Sequence, residues 1–564
     1  MIKIRNQYAI IVTLMLCMPC MAQQNPGSLV PATPSQAPDY YCTWNLQGYV
    51  TSHTYGKGSN DLRAEMNEDN LFGTHKVYTK DTAKTIDDVT YTVDSRYQGW
   101  LDHFPSIRQD LFFVLDDSWD IPASSNSKRP HGSNYDNEYL ATLTIAPTRF
   151  PSFTGSDKER MATLVNAVKE KGWRGLGGWI CAQNPICLTK QYTGMKNTLE
   201  NSKKWTVKQE EKYWKQRMKE SQEAGLHYWK VDWGNQDRND VFRRNLTKWK
   251  REVAPNVILE HASFQDGGPH KPHYITFSEV LRTYDVNGDL SQAQTISRIA
   301  EVLSKGSAEF EGWSVINCED EAYIAAGLGC AIGIMRHPYT GPYPNGKADG
   351  IFDSGTRFMK NRLNEIVRAV RWHRIALPFS ADGQYTTSEE NLFDSAQGDH
   401  RYEAPARVSR RLPLPEITGI DALNEQRPYV LASLYDNECT AIATINRNIN
   451  GEYQQQKVDV KVQPKRWDRK VGVFGHYHSL TLTYQNGLPK GHFKVFAQDL
   501  ASDGNPQEVP YMKTADGGGI IISGTTIENL CKGNEYSYTE VPHMEDRDYS
   551  DYSDPGIVLL IVEK

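Results

Sequence analysis

Beyond residue 22 the sequence contains no apolar run approaching the roughly 20 residues that a membrane-spanning helix requires. It also lacks a basic block. Its 63 Lys and Arg residues stand against 69 Asp and Glu, a net charge of −6, which argues against nucleic acid or an anionic membrane as the main partner. Cysteine is sparse and scattered. Of nine, the seven beyond residue 22 are Cys42, Cys181, Cys187, Cys318, Cys330, Cys439 and Cys531. They form no disulfide framework, and no Cys/His spacing resembles a zinc site, so neither a metal nor a cofactor is expected. Only Cys181 and Cys187 lie close enough in sequence for a loop bridge. No internal repeat is found.

The first 22 residues read as a secretion signal. Lys3 and Arg5 form a charged start, Tyr8 to Leu16 an apolar run, and Cys20-Met21-Ala22 places a small residue before a cut. Cleavage would remove both charges, giving −6 − 2 = −8. Neither Cys17 nor Cys20 has a lipoprotein context, so export to a periplasm or the exterior is expected. Residues 23–40, rich in Pro, Gln and Ser up to Ala37, read as a flexible leader.

What is abundant is aromatic side chain, with 30 Tyr and 13 Trp; such rings stack on sugars and bases but are equally ordinary core material. The most informative stretch is Tyr228-Trp229-Lys230-Val231-Asp232-Trp233-Gly234. It reads as a short buried strand after a helical run from about Lys208 to Gly225, whose apolar face carries Tyr213, Trp214 and Met218. Further strands are read near residues 44, 111, 176, 257, 280, 313 and 331, the first as Tyr41 to Val50, with helices over about 156–171, 291–304 and 357–376. Eight strands alternating with helices predict an α/β fold, a (β/α)8 TIM barrel over residues 41–380. A loop-like connecting segment follows over 381–426. Alternating runs at 429–434, 440–445, 457–462, 470–474, 476–484, 492–496, 519–522 and 557–562 then predict a C-terminal antiparallel β-sandwich in residues 427–564.

In a TIM barrel the C-terminal strand ends build the active site. Here the second strand ends in Asp116, Asp117 and Trp119, the fourth in Lys230, Asp232 and Trp233, and the fifth in Glu260 and His261. The sixth supplies Arg282 and Asp285, the seventh Asn317, Glu319 and Asp320, and the eighth Arg336 and His337. Side chains alternate along a strand, so Lys230 and Asp232 share a face. A Lys beside an Asp keeps the carboxylate ionised, as a nucleophile requires; a buried ion pair that only ties the sheet is the plainer alternative. Carboxylates at five strand ends, with aromatics between them, suit a polyol-binding site. Glycoside hydrolysis needs two of them, roughly 5–5.5 Å apart when one acts as nucleophile. Asp232 fits the ionised member. Asp285 is the first choice for the proton donor, with Asp289, Glu319 and Asp320 as competitors.

These residues carry a resemblance to glycoside hydrolase families 27 and 36, the α-galactosidases and their relatives. Leu115-Asp116-Asp117-Ser118-Trp119 looks like their second-strand Asp-Asp-x-Trp motif. Arg149-Phe150-Pro151, then Lys171-Gly172 and Leu176-Gly177, is similar to their Arg-Phe-Pro to Lys-Gly-Leu segment. Trp229-Lys230-Val231-Asp232-Trp233-Gly234 matches their nucleophile strand, Arg282-Thr283-Tyr284-Asp285 resembles the strand leading to the acid/base, and Ala325 to Pro338 looks like their apolar eighth strand. The resemblance implies a retaining exo-α-galactosidase with Asp232 as nucleophile and Asp285 as acid/base. Asp116, Asp117, Trp119, Lys230, Trp233 and Arg282 would contact the sugar, and an oligosaccharide or polysaccharide would be the partner.

The chain departs from the pattern in four places. Ser118 replaces the usual Cys or Gly, the Arg282–Asp285 spacing is short, and Asn317-Cys318-Glu319-Asp320 replaces Trp-Asn-Asp. The region from Glu65 to Trp100 reads as an insertion. Alternatives are a β-L-arabinopyranosidase or α-N-acetylgalactosaminidase on the same scaffold, a calcium-assisted inverting α-glucosidase-like barrel, and a non-catalytic glycan-binding protein.

Overall fold

A computed structural model describes residues 26–43, 66–73, 77–86, 89–94, 99–116, 119, 145, 147, 149–182, 205–232, 236–262, 271–283, 292–305, 314–335, 362–395, 401–419, 426–449, 452–453, 455–534 and 553–564. In chain order its first ten strands are β1 (Tyr40–Cys42), β2 (Val77–Ile86), β3 (Val89–Asp94), β4 (Phe112–Leu115), β5 (Gly175–Ile180), β6 (Tyr228–Val231), β7 (Ile258–Ala262), β8 (Val280–Arg282), β9 (Val315–Asn317) and β10 (Gly333–Ile334). β2 and β3 form a separate antiparallel hairpin within the segment read as an insertion. The other eight run parallel in the order β10-β1-β4-β5-β6-β7-β8-β9. A bridge between Asn317 and Ala331 closes the ring, with Ala331 N donating to Ile316 O at 2.8 Å and Cys318 N to Ala331 O at 3.1 Å. This is the predicted TIM barrel.

The alternation of side chains explains why these short runs are apolar throughout. Tyr40, Cys42, Phe112, Val114, Tyr228 and Met335 point into the lumen and pack together. Their neighbours Tyr41, Phe113, Leu115, Trp229, Val231, Leu281 and Ile316 join the larger core beneath the helices. Both faces of a parallel strand are thus covered, and each fully buried large side chain contributes about 1.5–3 kcal/mol. The lumen is filled to contact: a Cβ on Gly177 would lie 2.8 Å from Tyr228 Cβ and 2.9 Å from Val114 Cγ2.

The helices are α1 (Glu68–Phe72), α2 (Asp157–Glu170), α3 (Val207–Ala224), α4 (Asp240–Val253), α5 (Gln292–Lys305), α6 (Ala322–Leu328), α7 (Leu363–Trp372) and α8 (Gly524–Cys531). Ser156 with Glu159, and Thr206 with Gln209, form capping boxes that start α2 and α3. Gly225 ends α3 at a positive φ of 87°. α4 has no counterpart among the helices read from sequence, because Arg243, Thr247 and Lys250 share its buried face with Phe242, Leu246 and Trp249 and interrupt the apolar stripe. The apolar run expected to be one eighth strand is divided. Residues 322–328 form α6, Gly329 turns the chain at φ 62°, and only then does β10 begin. The first strand is also displaced, covering Tyr40–Cys42; residues 44–50 of the expected strand lie outside the described residues.

The second half builds a sandwich. One sheet joins strands 385–387, 407–410, 429–434, 440–445, 471–474, 556–563, 493–499 and 507–508; the other joins 416–418, 459–462, 479–483, 519–523 and 512–513. Valine, Ile and Leu from both sheets, among them Val460, Leu480, Ile520, Val473 and Val495, form its core. Pairing is antiparallel except between 407–410 and 429–434, 440–445 and 471–474, and 459–462 and 479–483. Strands also occupy the stretch read as loop-like, where short runs broken by Pro, Gly and charge hide the period. α6 and α7 meet this sandwich directly: Tyr323 OH donates to Asp554 O at 2.6 Å, and Arg368 grips Asp499 through Nε and Nη2 at 2.8 and 3.0 Å.

Within the segment expected to be a flexible leader, residues from 26 onward are packed. Leu29 and Val30 enter the core, Leu29 N donates to Gln498 Oε1 at 2.7 Å, and Ser35 N donates to Asp110 Oδ1 at 2.6 Å. Its Leu and Val side chains find apolar partners that the polar composition around them conceals. Cys181 is buried, and Cys187 lies outside the described residues. Among the described residues no helix is long and apolar enough to cross a membrane.

Candidate active site

Strand register delivers the site. β5 pairs with β6 so that Trp179 lies beside Lys230, and β6 pairs with β7 so that Lys230 lies beside Glu260. Lys230 Nζ donates to Asp116 Oδ2 at 2.9 Å and to Asp232 Oδ2 at 3.2 Å. Arg282 Nη2, from β8, reaches the same Asp232 oxygen at 2.6 Å, and Trp179 Nε1 reaches it at 3.3 Å. Asp232 Oδ2 therefore carries three donors. Its other oxygen, Oδ1, is buried and makes no hydrogen bond among the described residues.

Burial by itself would raise the pKa of Asp232. The charges of Arg282 and then Lys230, with their hydrogen bonds, outweigh that effect and hold it well below the usual carboxylate range. Asp232 is thus a dry, ionised carboxylate at the C-terminal end of a barrel strand, with one oxygen fixed and the other available for bond formation.

Arg282 is the hub beneath it. Besides Asp232 it faces Glu319 Oε2 through Nη1 at 3.1 Å and Glu260 Oε1 through Nε at 3.3 Å, and it is fully buried. Glu260 accepts further hydrogen bonds from Tyr40 OH at 3.2 Å, Tyr228 OH at 2.8 Å and Asn317 Nδ2 at 2.8 Å. Burial pushes the Glu260 carboxyl above its ordinary pKa, against the opposing pull of Arg282, Asn317, Tyr228 and Lys230. Among the described residues, four buried carboxyl groups (Asp116, Asp232, Glu260, Glu319) gather around Lys230 and Arg282.

Of the residues singled out from sequence, Asp116, Lys230, Asp232 and Arg282 are brought together. Asp117, Trp233, Asp285, Asp289, Arg336 and His337 lie outside the described residues. Trp119 is placed differently from expectation: its ring packs over Gly178 in the layer between barrel and helices, and its Nε1 donates to Trp179 O at 3.0 Å. Asp320, a competitor for the proton donor, adopts φ 59° and accepts Met335 N through Oδ1 at 2.8 Å, fastening β9 to β10. His261 points away from the lumen to Arg243 Nη1 at 3.1 Å and Thr247 Oγ1 at 2.8 Å; burial, then the charge of Arg243, holds its pKa well below normal.

Sequence reasoning missed Trp179, Arg243 and Cys42. Trp179 had a signal: the lumen positions of β5 run Gly175, Gly177, Trp179, so space is cleared below and filled at the strand end. Arg243, on α4, donates to Val231 O at 3.1 Å and Asp232 O at 2.6 Å and so clamps the C-terminal end of β6. Cys42 Sγ donates to Asp116 Oδ2 at 2.9 Å.

No protein-family model matches the chain, and no curated protein matches it. Among solved structures it is similar to a family 27 β-L-arabinopyranosidase from Geobacillus stearothermophilus, with 11% identity, 59% of this chain and 80% of that one covered, and a TM-score of 0.33. An α-amylase from Geobacillus thermoleovorans shows 11% identity, coverage of 83% and 93%, and a TM-score of 0.37. A putative α-galactosidase/melibiase from Bacteroides fragilis shows 11% identity, coverage of 58% and 65%, and a TM-score of 0.30. At these values the chemistry has to be read from the site's own residues.

Proposed function

We propose that the protein is a secreted, retaining exo-glycoside hydrolase that removes terminal α-galactose-like residues from a glycan. The observation that carries this reading is the asymmetry of Asp232 among the described residues: three donors on Oδ2, none on Oδ1, and a strongly depressed pKa. In the proposed mechanism Oδ1 attacks the anomeric carbon while Asp285 protonates the departing glycosidic oxygen. A covalent glycosyl-Asp232 results. Asp285, now ionised, takes a proton from water as that water attacks the anomeric carbon, and the released sugar keeps its configuration. Asp116 and Asp117 would hold hydroxyls at the far end of the ring, where an axial 4-OH favours galactose. Charge-assisted hydrogen bonds of this kind are strong in a dry pocket.

β-L-Arabinopyranose has the same ring hydroxyl pattern without C6, so it and α-N-acetylgalactosamine stand as the closest alternative sugars. A glycan-binding protein without catalysis has no use for a carboxylate held so far below its ordinary pKa with one oxygen open. The test is hydrolysis of aryl α-galactosides, β-L-arabinopyranosides, α-N-acetylgalactosaminides and α-glucosides, with the first-formed anomer read by NMR. Turnover of the galactose-type substrates with retention is expected. Inversion would overturn the mechanism, and binding of oligosaccharides without turnover of any substrate would overturn the enzyme reading.

A further inference from the structure

We infer that Glu260, one layer below the nucleophile, is a positioning residue: its negative charge holds the Arg282 guanidinium where Nη2 grips Asp232 Oδ2 and Oδ1 is left to react. This deepens the proposed function and rests on Asp232 being the nucleophile. The geometry is specific. Glu260 is completely buried, and each of its oxygens faces a group that can only donate: Arg282 Nε at 3.3 Å from Oε1, and Asn317 Nδ2 at 2.8 Å from Oε2. The Asn317 amide cannot be reversed without loss, because its Oδ1 accepts Gly333 N at 2.8 Å. Gly333 itself is required there, since a Cβ would lie 2.6 Å from the Tyr40 ring.

Arg282 is consequently held on three edges by three carboxyl groups: Glu260 at Nε, Glu319 at Nη1 and Asp232 at Nη2. The Nε–Oε1 contact is an ion pair and not a hydrogen bond, so Glu260 acts on the planar guanidinium as a negative charge 3.3 Å below it, opposite the edge that Nη2 turns to Asp232. Protonating Glu260 removes the negative charge that faces Nε, and the guanidinium has no other proton state with which to answer. Among the described residues, the charged and titratable groups around Glu260 are Tyr40 from β1, Tyr228, Lys230 and Asp232 from β6 and its end, Arg282 from β8, and Glu319 beyond β9. Because the Glu260 carboxyl is raised and that of Asp232 depressed, Glu260 takes up its proton first as pH falls. The acid limb of kcat/KM should then follow Glu260 and not the nucleophile.

Two variants of the full-length chain shift that limb in opposite directions. Glu260→Gln removes the titration, so the limb should move to lower pH, with kcat about 10- to 100-fold lower and KM changed far less. Tyr228→Phe removes one hydrogen bond to the carboxylate, so the limb should move to higher pH; this variant also serves if Glu260→Gln does not fold. An unmoved limb in both, or unchanged kcat in Glu260→Gln, would overturn the inference. Crystal structures of wild type and either variant give a readout independent of activity. The Arg282 Nη2–Asp232 Oδ2 contact, 2.6 Å in the native chain, should open in Glu260→Gln and lengthen at acid pH in Tyr228→Phe. If it stays closed the positioning role falls, whatever reaction the protein performs. Retained turnover in Asp232→Ala would instead overturn the nucleophile assignment, while the crystallographic comparison still decides Glu260.

Discussion

At the scale of single residues, Lys230 decides whether two buried carboxylates can coexist. Its ammonium sits between Asp116 and Asp232 at 2.9 and 3.2 Å, with all three side chains almost wholly inaccessible. Replacing it with Met takes from Asp116 the cation it pairs with among the described residues, at a cost of about 3–5 kcal/mol for a broken buried pair. The same change removes one of the two charges that depress Asp232, so Lys230→Met should shift the Asp232 pKa upward as well as lower Tm. Thermal unfolding combined with a pH–rate profile checks both effects. The Lys-x-Asp spacing made this pair legible in the sequence, since period-two alternation puts both on one face. That Asp232 would have one occupied and one open oxygen was not legible, because Trp179 and Arg282 arrive from other strands. Trp119 was assigned to the sugar from its motif alone, whereas the small side of β5 at Gly178 draws its ring behind the strand.

At the scale of elements, the strand ends are held by parts that periodicity does not reveal. α4 was missed because polar residues occupy its buried face, and those residues have a positional role: Arg243 hydrogen-bonds both Val231 O and Asp232 O. Arg243→Met removes both donors from buried carbonyls, an expected loss of about 1–3 kcal/mol for each unsatisfied group. Activity should fall alongside, since the end of β6 is then free to shift relative to Arg282. If activity at a temperature well below Tm matches wild type, the clamp is only structural. Strand existence was largely readable, as β4 to β9 and the sandwich strands from 429 onward coincide closely with the expected runs. The region 322–334 was not, because α6 and β10 are both apolar and only Gly329 divides them.

Across the whole molecule, barrel and sandwich are joined by a polar seam. His476 bridges Glu528 through Nδ1 at 2.9 Å and Asp554 through Nε2 at 3.2 Å. Asp554 Oδ2 also accepts Asn446 Nδ2 at 2.9 Å, and its backbone oxygen accepts Arg368 Nη1 at 3.0 Å. Burial pulls the imidazole pKa down, but the two carboxylates more than reverse this and leave it raised. A raised folded-state pKa contributes stability that is complete below the ordinary His value of about 6.5 and is lost as pH rises through the folded value. His476→Gln should therefore cost about 1.5–3 kcal/mol at pH 6, as for a hydrogen bond to a charged group, and distinctly less at pH 9. A Tm difference independent of pH would contradict this. The two-part architecture was visible in the change of texture after Pro378, but the seam joins residues as far as 231 positions apart, such as Tyr323 and Asp554, and no local pattern announces it.

The central claim is that Asp232 Oδ1 forms the bond to the sugar, and chemical rescue tests it most directly. Asp232→Ala, assayed on an activated aryl α-galactoside, should lose turnover by about three orders of magnitude or more, as when a catalytic nucleophile is removed. Added azide should restore part of the rate and yield a β-configured galactosyl azide, because the anion enters where the carboxylate stood. Turnover unchanged from wild type, or a variant that releases aryl alcohol from the galactoside without forming the β-azide, would contradict the account.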